Sequence, residues 1–161
     1  MSQLPTVSIL VDVQNVYYTV RQQFGCSFDY NRLWAQVTEG RQLVQAIAYT
    51  CDRGDAKQKQ FQNILRAIGF EVKLKPYIKR ADGSSKCDWD VGITIDAMEL
   101  SSQSDVVVLL TGDGDSALLA DKLVKDKDCQ VEVYGVEQLT AAALMRAATR
   151  YFPIADDLLL N

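Results

Sequence analysis

VVVLLTGDGDS, residues 106–116, decides how this chain is built. Five consecutive aliphatic residues, Val106–Leu110, run straight into Thr-Gly-Asp-Gly-Asp, which describes a strand buried on both faces ending in a turn that carries Asp113 and Asp115. Strands of this kind belong to parallel sheets covered by helices, and such sheets keep their ligand crevice at the strand C-terminal ends. VSILVDVQN, residues 7–15, repeats the pattern, with Asp12 closing the apolar run. Aspartates gathered at one sheet edge raise each other's pKa until a cation neutralises them. Their hard oxygen donors select Mg²⁺ or Mn²⁺ over soft metals. The two runs together point to metal-dependent chemistry on a phosphate.

Outward from these runs, strands and helices alternate. The spacing predicts a strand at 7–11, then a helix through Val16, Val20 and Phe24 that stops near Gly25. A helix over 29–39 turns Leu33, Trp34 and Val37 inward, and a strand follows at 43–49. Phe61, Ile64, Leu65 and Ile68 share a helical face that Gly69 terminates, before a strand at 70–74. Residues 80–86, containing Asp82-Gly83-Ser84-Ser85, are turn-forming and predict a loop. A helix over 88–101 is expected to bury Val91, Ile95 and Met98. Beyond the central strand at 106–110 come a helix at 117–127, a strand at 130–136, an alanine-rich helix at 138–150 and a short tail at 152–154. The expected architecture is a single domain over 1–161, a three-layer α/β/α sandwich on a mainly parallel five-stranded sheet.

With 161 residues, 48% hydrophobic and 24% charged, the chain can bury a core without disulfides or structural metal. No apolar run spans a bilayer and no secretory leader precedes the first strand, so a cytoplasmic protein without membrane contact is expected. Cys26, Cys51, Cys87 and Cys129 lack CxxC spacing and read as reduced thiols. The chain contains no histidine, which removes Ser-His-Asp and Cys-His catalysis and leaves carboxylates, lysine, tyrosine or a metal to do chemistry. Charge is uneven: residues 51–86 hold nine Lys/Arg against four acids, or +5, so the rest of this net −4 chain carries −9. A basic stretch beside an acidic centre suits a metal nuclease that holds flanking phosphates. The same lysines also fit solvated faces of a helix and a strand.

Three motifs read together resemble a known family. Asp12-Val13-Gln14-Asn15 on the first strand, Asp90-Val91-Gly92-Ile93-Thr94-Ile95-Asp96 opening a middle helix, and Thr111-Gly112-Asp113-Gly114-Asp115 after the central strand look like the NYN domain in its LabA-like branch. That family has the PIN-like nuclease fold, with sheet order 3-2-1-4-5, and its members are known or predicted metal-dependent ribonucleases. The resemblance implies that Asp12, Asp90, Asp113 and Asp115 are catalytic and hold one or two Mg²⁺ or Mn²⁺ ions, with Asn15 and Asp96 in support. One ion on Asp12 and Asp113 would activate water and another near Asp90 and Asp115 would stabilise the leaving oxygen. Val13 stands where the family usually has Gly, and Ser116 where it usually has an aromatic residue.

The implied substrate is RNA, single-stranded because a free backbone bends into an open cleft. Arg53 and Lys86 are candidate phosphate contacts, and Tyr77 and Trp89 candidate base contacts, whereas Tyr17, Tyr18 and Trp34 read as core. Other readings compete. Asp12 and Asn15 fit N-caps, Asp90 fits a helix dipole partner with Asp88 as cap, and Asp96 fits a lysine ion pair. Gly112, Gly114 and Ala117 satisfy a dinucleotide fingerprint, but two aspartates inside it would repel a pyrophosphate. A haloacid-type phosphohydrolase wants an Asp at Gln14, and a receiver domain an acidic pocket on an internal strand that only Asp52 offers. A non-catalytic RNA-binding or regulatory member of the same fold is the remaining alternative. The alanine-rich last helix and Leu158-Leu159-Leu160 could pack internally or in a homodimer, with the dimer favoured.

Overall fold

In the computed structural model, residues 3–52, 54–76, 78–79, 81 and 85–160 are described, with backbone only at 78–79 and 85–86. The sheet strands are β1 (Thr6–Asp12), β2 (Gln42–Asp52), β3 (Glu71–Pro76), β4 (Val106–Leu110), β5 (Gln130–Gly135) and β6 (Arg150–Pro153). They lie in the order β3-β2-β1-β4-β5-β6, and every pairing is parallel. The helices are α1 (Val13–Phe24), α2 (Tyr30–Thr38), α3 (Ala56–Ile68), α4 (Asp90–Leu100), α5 (Ser116–Asp126) and α6 (Ala142–Ala147).

Alternation along the strands sorts side chains onto two cores. Val7, Ile9 and Val11 of β1 pack with Val16 and Val20 of α1, Leu33 of α2 and Leu65 of α3. Leu10 points the other way, with Ile47 and Tyr49 of β2, to meet Ile93 and Ala97 of α4, Leu119 and Leu123 of α5 and Leu144 of α6. Every residue of β4 is buried, as expected for a strand with neighbours on both edges and helices on both faces.

Four expectations need correction. The sheet has six strands, not five: α6 stops at Ala147, and the tail continues as β6, with Tyr151 opposite Val133. Pro153 ends this edge strand, where its missing N–H breaks no interior ladder. α4 is rotated from the expected face. It buries Ile93, Ala97 and Leu100, while Val91 is 72% and Ile95 55% exposed. Ile64 of α3 is likewise turned outward, leaving Leu65 to fill the core. Cys51 and Cys87 are not reduced thiols but a disulfide, Cα–Cα 6.1 Å, while Cys26 and Cys129 are free.

The C-terminal residues pack on their own chain: Leu158 is buried, and Leu159 pairs antiparallel with Phe28. Among the described residues, no helix is long and apolar enough to cross a membrane.

The disulfide fastens the end of β2 to the segment entering α4. Closing a separation of 36 residues in the unfolded chain contributes about 3–4 kcal/mol on the chain-entropy account. Urea denaturation should therefore show a lower midpoint for the wild-type chain under reductant. A Cys51→Ser/Cys87→Ser chain should start low and be indifferent to reductant.

Candidate functional site

The order of strands reverses between β1 and β4, since the chain builds outward to β3 and then returns to the far side of β1. At such a switch point the loops leaving adjacent strands diverge and open a crevice. Asp12 ends β1 there, Asp113 and Asp115 follow β4, and Asp90 begins α4. An open cleft of 440 Å³ is lined by Asp12, Asn15, Asp88, Asp90 and Asp113, together with Gln14 and Tyr18. Carboxylate oxygens of Asp90, Asp113 and Asp115 lie within 4.8 Å of one another. Asp12 stands beside this trio rather than within it.

Local hydrogen bonds hold the loops in place. Asp12 caps α1, its Oδ1 accepting from the Asn15 amide at 3.3 Å, so the capping role coexists with a place in the cleft. Asn15 then reaches across, its Oδ1 accepting from the Gly112 amide at 2.9 Å, which ties α1 to the loop after β4. Thr111 Oγ1 accepts from the Asp113 amide, and Asp113 Oδ1 from the Asp115 amide at 3.0 Å. Gly112 is required by close approach, because a Cβ there would meet the Leu139 carbonyl oxygen at 2.8 Å. Gly114, by contrast, has no positive φ, so its freedom of conformation does not explain the turn.

Two expected residues also make structural contacts, and one of them, Trp89, lines the cleft as well. Asp96 accepts from Tyr49 Oη and Lys73 Nζ, each at 2.7 Å, which pins α4 to β2 and β3. This is the lysine pairing, and it satisfies a carboxylate set among apolar neighbours. Trp89 donates its indole N–H to the Thr50 carbonyl at 2.8 Å, and Lys75 Nζ lies 4.8 Å from its ring centroid. Arg53 and Tyr77 lie outside the described residues, as does the Lys86 side chain; of the loop expected at 80–86, only positions 81, 85 and 86 are described.

Asp88 fits more than the cap that the sequence suggests. Its Oδ1 does accept from the Asp90 amide at 2.8 Å, but it is also a further carboxylate in the cleft. The Asp-Trp-Asp spacing carries that signal, since residues two apart straddling a helix start share one turn. Tyr17 and Tyr18, read as core, are 53% and 48% exposed.

Burial, with Asp113 and Asp88 nearby, pushes Asp12 up to about 6 despite its bond from the Asn15 amide. Burial, then the charges of Asp113, Asp88, Asp12 and Asp115, pushes Asp90 up to about 6. A crowded all-oxygen donor set with unrelieved repulsion fits a hard divalent cation. The sign for stability follows from the raised folded values. The folded state holds these protons more tightly than the unfolded chain, so folding is penalised above about pH 6 and the penalty fades as pH falls toward 3.8. With no histidine to titrate in the same window, metal-free protein should melt a few degrees higher at pH 5.5 than at pH 7.5 in thermal scans with EDTA. Asp12→Asn should shrink that difference. Mn²⁺ should bind more tightly at pH 7.5, because binding displaces protons.

Comparison with known proteins agrees with this geometry. The NYN domain family model matches residues 6–156. The low amplitude and bright protein LabA of Synechococcus elongatus is 28% identical over 158 residues, covering 93% of this chain and 84% of LabA. The crystal structure of a Vibrio parahaemolyticus protein of unknown function superposes with a TM-score of 0.93 at 48% identity, covering 99% of this chain and 100% of that one. A family-model match across nearly the whole chain means that the chain belongs to the NYN domain family.

Proposed function

We propose that this chain is a divalent-metal-dependent ribonuclease that hydrolyses phosphodiesters of single-stranded RNA. The observation that carries the reading is the convergence of Asp90, Asp113 and Asp115 beside Asp12 at the sheet's switch point, in a chain of a PIN-like nuclease family. Asp90, Asp113 and Asp115 would hold the ion, with Asp12 completing or flanking the donor set. A bound Mg²⁺ or Mn²⁺ supplies an activated water and neutralises charge developing on the phosphate.

The chain's other residues prepare the cleft. Asn15 fixes the loop after β4 through Gly112, Asp88 orders the first turn of α4 through the Asp90 amide, and Asp96 anchors that helix through Lys73 and Tyr49. In this reading Arg53 and Lys86 supply positive charge to neighbouring phosphates. The cleft is open and lies at the surface, which suits a flexible single strand that can bend into it.

The test is cleavage of a labelled single-stranded RNA by purified protein with Mn²⁺ or Mg²⁺ and with EDTA. Metal-dependent product is expected. RNA binding without cleavage in either metal would replace this reading with a non-catalytic RNA-binding member of the family.

A further inference from the structure

A second cavity opens beside the acidic cleft. It occupies 340 Å³ between α1 and α3, at the same edge of the sheet. Buried Val16, Phe28 and Tyr30 line it together with Phe61, and exposed Tyr17 and Tyr18 stand along it. Gln14, Thr50 and Gln62 add a few amide and hydroxyl groups. Apolar aromatic walls with sparse polar groups, near the lower end of the roughly 300–1,000 Å³ typical of ligand pockets, suit one small planar group.

Continuity decides what that group is. Gln14 and Tyr18 line both this cavity and the acidic cleft, so the two form one surface. Lys57 and Asp55 both line the cavity, and the Arg21 guanidinium, outside the lining, sits 5.7 Å from the Tyr17 ring centroid. An occupant that is flat and apolar on its faces, polar at its edge and joined to an anion is a nucleotide.

We infer that the α1–α3 cavity receives one unstacked base of the RNA strand whose phosphate lies at the carboxylates, an inference that rests on the proposed ribonuclease activity. A base inside a duplex could not enter, so the cavity selects single strands. It also places Tyr18 at the junction of base and phosphate, as a positioning residue.

The experiment measures fluorescence anisotropy of a labelled single-stranded oligoribonucleotide in Ca²⁺, against the same oligonucleotide with abasic riboses. Three variants accompany it. Ser27→Trp fills the cavity from an exposed wall, Tyr18→Ala removes an exposed aromatic, and Ile64→Trp adds bulk on the outer face of α3. Intact RNA should bind the wild-type chain about tenfold more tightly than abasic RNA. Ser27→Trp should weaken binding of intact RNA by a similar factor while leaving abasic RNA unchanged, Tyr18→Ala should weaken intact RNA more than abasic RNA, and Ile64→Trp should bind as wild type. Because Tyr18 is half exposed, its variant keeps the test valid if Ser27→Trp does not fold.

Equal binding of intact and abasic RNA overturns the inference. Metal-dependent cleavage alongside such base-independent binding overturns the cavity alone. Base-dependent binding without cleavage supports the cavity and overturns the hydrolytic reading, and no RNA binding at all overturns both.

Discussion

Asp113→Asn should abolish metal-dependent cleavage, lowering turnover by about 100-fold or more, while making the metal-free protein more stable. Asp113 and Asp88 are the acids whose charges act on both Asp12 and Asp90, and Asp113 is the stronger charge partner of each. It also belongs to the trio whose oxygens lie within 4.8 Å. Neutralising it removes a proposed ligand and relieves repulsion together. Asparagine keeps the Oδ1 that accepts from the Asp115 amide, so the loop should keep its shape. The expected result is weaker Mn²⁺ binding by calorimetry, loss of cleavage, and a higher melting temperature in EDTA at pH 7.5. That combination separates a site residue from a structural one, because a variant that disrupts the fold loses activity and stability together. If Asp113→Asn cleaved RNA like wild type, the carboxylate cleft would not be the active site.

Much of this was legible because the decisive signals were dense and local. Five aliphatic residues in a row before Thr-Gly-Asp-Gly-Asp leave little besides a doubly covered strand with acids at its end, and β4 is that strand. The order of the first five strands matches the one that the family resemblance implies, while β6 extends the sheet beyond it. The features that the sequence hides depend on partners distant in sequence or on a pattern with two solutions. α4 is apolar at Val91, Ile93, Ile95, Ala97, Met98 and Leu100, so periodicity supports more than one buried face, and Tyr49 and Lys73 reaching Asp96 decide the rotation. Cys51 and Cys87 carry no local sign of pairing, since only the return of the chain to β2 brings them together. β6 is short, begins with Arg150 and ends in Pro153, which hides it behind the preceding alanines. Tyr17 and Tyr18 are adjacent, and helical spacing cannot by itself say that both face the groove.

A further long-range pair gives the largest expected change in stability. Arg41, between α2 and β2, donates through Nη1 to Glu132 Oε1 at 2.9 Å and through Nη2 to Oε2 at 2.7 Å. Glu132 lies on β5, 91 residues away, and is only 2% exposed. A carboxylate so enclosed depends on its bidentate partner, because water cannot replace the guanidinium. Arg41→Met should therefore lower unfolding free energy by about 3–5 kcal/mol in urea titrations. The penalty comes from the stranded charge rather than from the bond itself. On that account Arg41→Met/Glu132→Leu should recover most of the loss, since an apolar pair of similar bulk leaves nothing to solvate. A double variant as unstable as the single one would mean that the pair stabilises by its own attraction. The pair is built from the stretch that enters β2, at the sheet edge opposite the carboxylates, so Mn²⁺ affinity should be the same in wild type and both variants wherever the protein is folded.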